Sequence, residues 1–272
     1  MTRRTILRRL GGLIAATIGM TRASSASAPA TAPTAPHDLD TKAQAAQSRV
    51  PADLPYPRIT VPGDRALAEW ERLRSAGRGW PVIVGGDEQL AAIAEQYSLD
   101  DPAPTPEAIL KQAATLRMPA DLAKWDGTDD PRDPPLGTWP THPTKGAGLT
   151  VASDILTGKQ HPQVHILLIP TTQSWEVPAY LRWGNWNACP PPAWHVAALK
   201  QWHDHYGVEL IGLDGATLNL RAARRPTDRT AALALAREQY LYYPDVIDQG
   251  VESLSALAAI LMADDWWFFW WD

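Results

Sequence analysis

Cysteine occurs once in this 272-residue chain, at Cys189. A single thiol excludes an intramolecular disulfide and any zinc or iron–sulfur site built on several cysteines. No run of about eighteen apolar residues occurs, which excludes an ordinary membrane-spanning helix. A phosphate-binding loop is missing too. Gly85-Gly86-Asp87 has neither the spaced third glycine nor a Lys-Ser/Thr ending. No cofactor motif or internal repeat is present, so no cofactor is expected. Phenylalanine occurs twice, against 13 tryptophans.

Basic charge is scarce outside the N-terminus. Residues 1–30 hold five of the 25 basic residues and none of the 30 acidic ones, so without them the net charge moves from −5 to about −10. An acidic chain is a poor partner for nucleic acid, whose binding relies on neutralising phosphates. Hydrophobic content of 45% is that of an ordinary globular protein, and the length suits one large domain or two small ones.

The N-terminus reads as an address. Thr2-Arg3-Arg4-Thr5-Ile6-Leu7-Arg8 fits a twin-arginine export pattern, and a short, glycine-containing apolar stretch, Leu10 to Met20, follows. Cleavage is expected after Ala26 or Ala30, giving a signal peptide over 1–30 and a bacterial protein in the periplasm or outside the cell. Residues 31–57 are rich in Ala, Pro and Thr and read as a disordered tether. A single α+β domain, a mixed sheet with helices packed on it, is expected over 58–272.

In that domain, helices are predicted over 65–76, 88–96 and 106–117 from apolar spacing. Trp80 to Gly86 reads as a short buried strand entering a turn. Residues 119–148 lack periodicity and read as an irregular surface loop. His165 to Pro170 is the strongest strand, its continuous apolar run suggesting a central place in the sheet.

The C-terminal third has the clearest pattern. Pro190, Pro191 and Pro192 lead into a helix over 193–206, with His195, Leu199, Trp202 and Tyr206 on one stripe and Gly207 at its end. Residues 208–213 and 217–220 read as two strands joined by a type I′ turn at Asp214-Gly215. A helix over 228–242, a loop at 245–250 and a helix over 252–263 follow. The run Trp266 to Trp271 reads as a strand, apolar on both faces and so expected inside a sheet covered on both sides.

This block resembles domain-of-unknown-function family 4253. The residues that carry the resemblance are Trp183-Gly184, Asn187-Ala188-Cys189-Pro190, His195, Tyr206-Gly207, Glu209, Arg225-Pro226, Glu238-Gln239-Tyr240, Pro244-Asp245, Gln249-Gly250 and Trp267-Phe268-Phe269-Trp270-Trp271-Asp272. Members often carry a cysteine just before the Pro-Asp pair, where this chain has Tyr243. The resemblance covers roughly the last ninety residues and brings no activity with it.

Candidate catalytic residues are Cys189, His195, Glu238 and Asp245. A cysteine ahead of a helix can have a lowered pKa, and His195 six residues on could serve as its base. Glu238 and Asp245, with Glu209 and Asp248, could form an acid–base pair. Each has a plainer reading: a buried apolar thiol, a core histidine, helix-end carboxylates. Metal binding by His195, His203 and His205 is disfavoured by their spacing, and no metal is expected. Asn187, Trp183, Trp186 and Gln249 are candidate binding residues. Flat rings such as Trp175, Trp183, Trp186 and Trp194 can stack on sugars or line a peptide cleft, or simply fill a core. The expectation is a non-catalytic binding or interaction module of the cell envelope or exterior, its partner an unknown protein, peptide or carbohydrate. The alternative is a hydrolase of envelope polymers using Glu/Asp residues or Cys189 with His195.

Overall fold

A computed structural model describes residues 54–100, 102–124, 133–155 and 157–271. The expected signal peptide and most of the expected tether lie outside the described residues. The rest forms a single α+β arrangement around a six-stranded mixed sheet.

The strands are β1 (Arg58–Val61), β2 (Trp80–Gly85), β3 (Val164–Ile169), β4 (Glu209–Leu213), β5 (Thr217–Arg221) and β6 (Trp266–Trp270), in the order β1-β3-β2-β4-β5-β6. Two antiparallel halves, β1-β3-β2 and β4-β5-β6, meet at a parallel seam where Ile83 faces Gly212. Glycine is needed there: a Cβ on Gly212 would lie 2.5 Å from Val151 Cγ2 and 3.0 Å from the Ile83 carbonyl.

Local signals start and stop the helices α1 (Ala66–Ala76), α2 (Asp87–Tyr97), α3 (Pro106–Ala113), α4 (Val177–Leu181), α5 (Pro192–Tyr206), α6 (Arg229–Tyr242) and α7 (Leu254–Ala263). Thr105, Asp228 and Ser253 accept hydrogen bonds from backbone amides three residues on, capping α3, α6 and α7. Gly77 and Gly207 end α1 and α5 in the left-handed conformation that glycine takes most easily. Arg224 donates to the Asp204 and His205 carbonyls at the end of α5, and Arg225 to the Ala263 carbonyl at the end of α7. Arg224 and Arg225 are therefore engaged in holding helix ends, while Arg221 pairs with the Asp265 carboxylate.

One face of the β4-β5-β6 half carries Leu218, Leu220, Trp267 and Phe269, and α5 and α6 pack there. Trp202 of α5 stacks on Phe269 at 5.7 Å, and Tyr242 of α6 meets the same ring edge-on at 5.2 Å. The opposite face carries Glu209, Gly212 and Asn219. It is met by Arg74 of α1 and by the turn Thr150–Ala152, whose Thr150 hydroxyl and Val151 amide both bond the Asn219 side-chain oxygen. Three buried indoles are held by their N–H groups. Trp70 donates to Pro81, Trp80 to Leu210 and Trp183 to Asp214, all to backbone carbonyls.

Several expectations need correction. The Asp214-Gly215 turn is not type I′, because neither residue takes the positive φ that turn requires. Instead, the Asp214 carboxylate accepts from the Ala216 and Thr217 amides, 2.8 Å each, closing the turn with a side chain. The helix expected to run to 117 ends at Ala113. The expected loop at 245–250 is a π-helical turn over Val246–Val251, and the last helix starts at Leu254 rather than 252. The closing aromatic strand forms at the edge of the sheet, not inside it. Trp267 and Phe269 are buried, while Trp266, Phe268 and Trp270 are half-buried. Described parts of the irregular stretch 119–148 also carry structure: the Pro135 and Leu136 carbonyls accept the first amides of α7, and the Gly146 amide bonds Asp264.

Candidate functional site

The loop between α4 and α5 has a distorted backbone. Arg182, Gly184, Asn185 and Asn187 all have positive φ. Such conformations are costly for residues with side chains and persist only where surrounding contacts hold them. At Gly184, φ +117 combines with crowding: a Cβ would lie 2.3 Å from the Pro190 carbonyl and 2.8 Å from the His195 ring. The loop folds back on itself through the Asn185 amide, which donates to Pro190, and the Cys189 amide, which donates to Trp186.

This loop presses Cys189 against His195, in the first turn of α5. Cys189 Sγ is 3.3 Å from His195 Nε2, and His195 Nδ1 is 2.5 Å from the Tyr242 hydroxyl at the end of α6. Exposure is 2% for Cys189 and 0% for His195 and Tyr242. Trp183 and Trp271 ring the imidazole, with centroids at 4.7 and 5.5 Å, and Trp186 backs Trp183 edge-on.

Burial sets the charge state of this chain of three groups. Desolvation pushes the His195 pKa down to about 3, against a smaller opposing effect of the Pro190 carbonyl, so the ring is neutral near pH 7. The Tyr242 phenol is pushed well above its ordinary value, first by desolvation and then by the Cys189 charge. A neutral imidazole has one donor and one acceptor nitrogen. Two arrangements fit: Tyr242 donates to Nδ1 while Nε2–H points at sulfur, or the thiol donates to Nε2 while Nδ1–H donates to Tyr242.

The carboxylate candidates take other partners. Glu238 accepts from Trp202 Nε1 at 3.2 Å, and desolvation raises its pKa. Asp245 is half-buried at the start of the π-helical turn, and Gln249 is exposed within it. Asn187 is half-buried, and Trp183 and Trp186 are buried in the aromatic core. Trp175 and Trp194 are half-buried; the first meets the His203 ring at a tilt, centroids 4.3 Å apart, and the second donates to the Asp121 carbonyl. His203 bonds the Val208 carbonyl and His205 the Gln201 carbonyl, each apart from His195. Among the described residues, no group of three His, Cys, Asp or Glu side chains is placed to hold a metal ion, and no helix is long and apolar enough to cross a membrane.

The structure thus brings together Cys189 and His195 but not Glu238 or Asp245. Sequence reasoning missed Tyr242, the third group of the chain. A signal existed: Tyr242 follows Glu238 by four residues and so shares its helix face. No curated protein and no solved structure matches the chain. Residues 165–272 match the family described as Domain of unknown function (DUF4253), which bears out the resemblance of the C-terminal block and extends it back to His165.

Proposed function

We propose that the C-terminal block is a non-catalytic binding or interaction module, carried by a protein exported to the cell envelope or exterior. The observation that supports this most is the sealing of its one thiol–imidazole pair. A general base must reach its substrate and be able to accept a proton, and His195 has no exposed surface and a pKa near 3. Glu238 and Asp245, the other acid–base candidates, do not join it. The Cys189–His195–Tyr242 chain then serves to fix the distorted loop 182–191 against α5 and α6. Twin-arginine export fits this role, because that route carries proteins already folded.

A second reading rests on one observation, the 3.3 Å contact between Cys189 and His195 beneath a backbone rich in positive φ. Opening of the loop would convert that contact into a nucleophile and its base, acting on amide or ester bonds of envelope polymers. One experiment separates the readings. The full chain is mixed with insoluble cell-wall glycan–peptide, and both its depletion from solution and the release of soluble fragments are measured. Binding without fragments is the expected result. Fragment release that disappears in Cys189→Ser would overturn the non-catalytic reading.

A further inference from the structure

A second histidine-centred unit lies on other elements. His165, on β3, sits between Thr60 of β1 and Asp87 at the start of α2. Its Nδ1 is 2.9 Å from Thr60 Oγ1 and its Nε2 is 2.7 Å from Asp87 Oδ1. Backbone geometry builds this row. Thr60 and His165 are cross-strand partners. On the other side, His165 pairs with Gly85, where β2 bulges. Gly85 has φ +81, and a Cβ there would lie 2.9 Å from Gln89 Cβ, so glycine permits the turn that sets Asp87 beside the imidazole.

The partners fix the tautomer. An ionised carboxylate only accepts hydrogen bonds, so His165 Nε2 carries the proton and donates it to Asp87. In the neutral ring Nδ1 is then a bare lone pair, and Thr60 must donate to it. A hydroxyl is thereby hydrogen-bonded to a base that a carboxylate orients, the polarity a nucleophilic relay needs. The unit is also open. Thr60 is exposed and the Asp87 side chain is 92% exposed, while His165 between them is 5% exposed. The Cys189 chain is the reverse case, sealed from solvent.

We infer that Thr60, His165 and Asp87 form a nucleophilic acyl-transfer centre for small activated esters, on the β1–β3 side of the sheet. It takes only His165, the first matched residue, from the C-terminal block, adds a reaction to the binding reading of that block, and stands or falls separately from the Cys189 pair. In the first half-reaction a bond forms between Thr60 Oγ1 and the acyl carbon, and the bond from that carbon to the leaving oxygen breaks. The Thr60 proton passes to His165 Nδ1 and then to the departing alkoxide. In the second half, water attacks the acyl-threonine, gives one proton to His165, and the regenerated Thr60 oxygen takes it back.

The test uses the full chain and p-nitrophenyl acetate. Release of p-nitrophenolate is followed by absorbance, and the acetylated residue is located by peptide mass spectrometry. Acetyl-Thr60 is expected, lost in Thr60→Val and retained in Thr60→Ser. His165→Gln should slow acetylation about 100-fold, the contribution typical of a positioned base. Asp87→Asn should slow it less, because the carboxylate is washed by solvent. Thr60→Val changes an exposed side chain on an edge strand, so its result does not depend on the buried histidine tolerating substitution. Unmodified Thr60, or p-nitrophenolate release undiminished in Thr60→Val, would overturn the proposal and leave the row as a tie between β1, β3 and α2.

Discussion

Acid should unfold this protein partly through His195, and the size of the effect follows from its burial. In the unfolded chain the imidazole has its ordinary pKa near 6.5; in the folded protein burial holds it at about 3. Below pH 6.5 the unfolded state therefore binds a proton that the folded state refuses. The stability contributed by neutral His195 is fully present above that pH and is lost as pH falls from about 6.5 toward 3. The slope approaches about 1.4 kcal/mol per pH unit, which gives a loss of about 2 kcal/mol between pH 7 and pH 5 from this residue alone. Carboxylates titrate in an overlapping range, so the quantity to measure is a difference. Urea unfolding of the wild type and of His195→Gln would be compared at pH 7 and pH 5. Glutamine cannot take up the proton, so the variant should be less stable at pH 7 by a constant offset yet lose about 2 kcal/mol less on acidification. Equal losses in both proteins would refute the buried neutral imidazole.

Three further outcomes are expected. Gly184→Ala places a methyl group against the Pro190 carbonyl and the His195 ring at a positive φ, and should cost about 3 kcal/mol, read as a large fall in melting temperature. Asp228→Ala removes the α6 cap and should cost about 1 kcal/mol by urea denaturation, with Asp228→Asn close to neutral. Replacing Arg3 and Arg4 by lysine should retain the protein inside the producing cell, as shown by fractionation; unchanged export would remove the export reading.

Much of the architecture was legible because its signals are local. Pro192 and Gly207 bracket α5, the spacing of His195, Leu199 and Trp202 marks its buried face, and the short, wholly aromatic run Trp266–Trp271 marks a strand. Features set by distant partners were not legible. The aromatic strand is apolar on both faces yet lies at an edge, where half-burial of Trp266, Phe268 and Trp270 depends on what the rest of the chain lays beside them. The Asp214 turn looked like an ordinary Asp-Gly hairpin, but the aspartate side chain does the work that positive φ would have done. At the thiol, sequence suggested the neighbour six residues away but gave no access to burial, which decides whether His195 can act as a base. Tyr242 joins from another helix, and the row Thr60–His165–Asp87 assembles three residues more than twenty positions apart. Only strand register and the bulge at Gly85 bring that row together.

The sealing of Cys189 is measured most directly by the reactivity of its thiol. The full chain would be treated with iodoacetamide at pH 8 across a urea series, and alkylation of Cys189 followed by intact mass. A sealed structural thiol reacts only through opening, so modification should be negligible without urea and should rise in step with loss of tertiary fluorescence. Rapid alkylation of the folded protein, faster than that of a free thiol and abolished by His195→Gln, would contradict a sealed, structural Cys189 and identify it as an accessible, activated nucleophile.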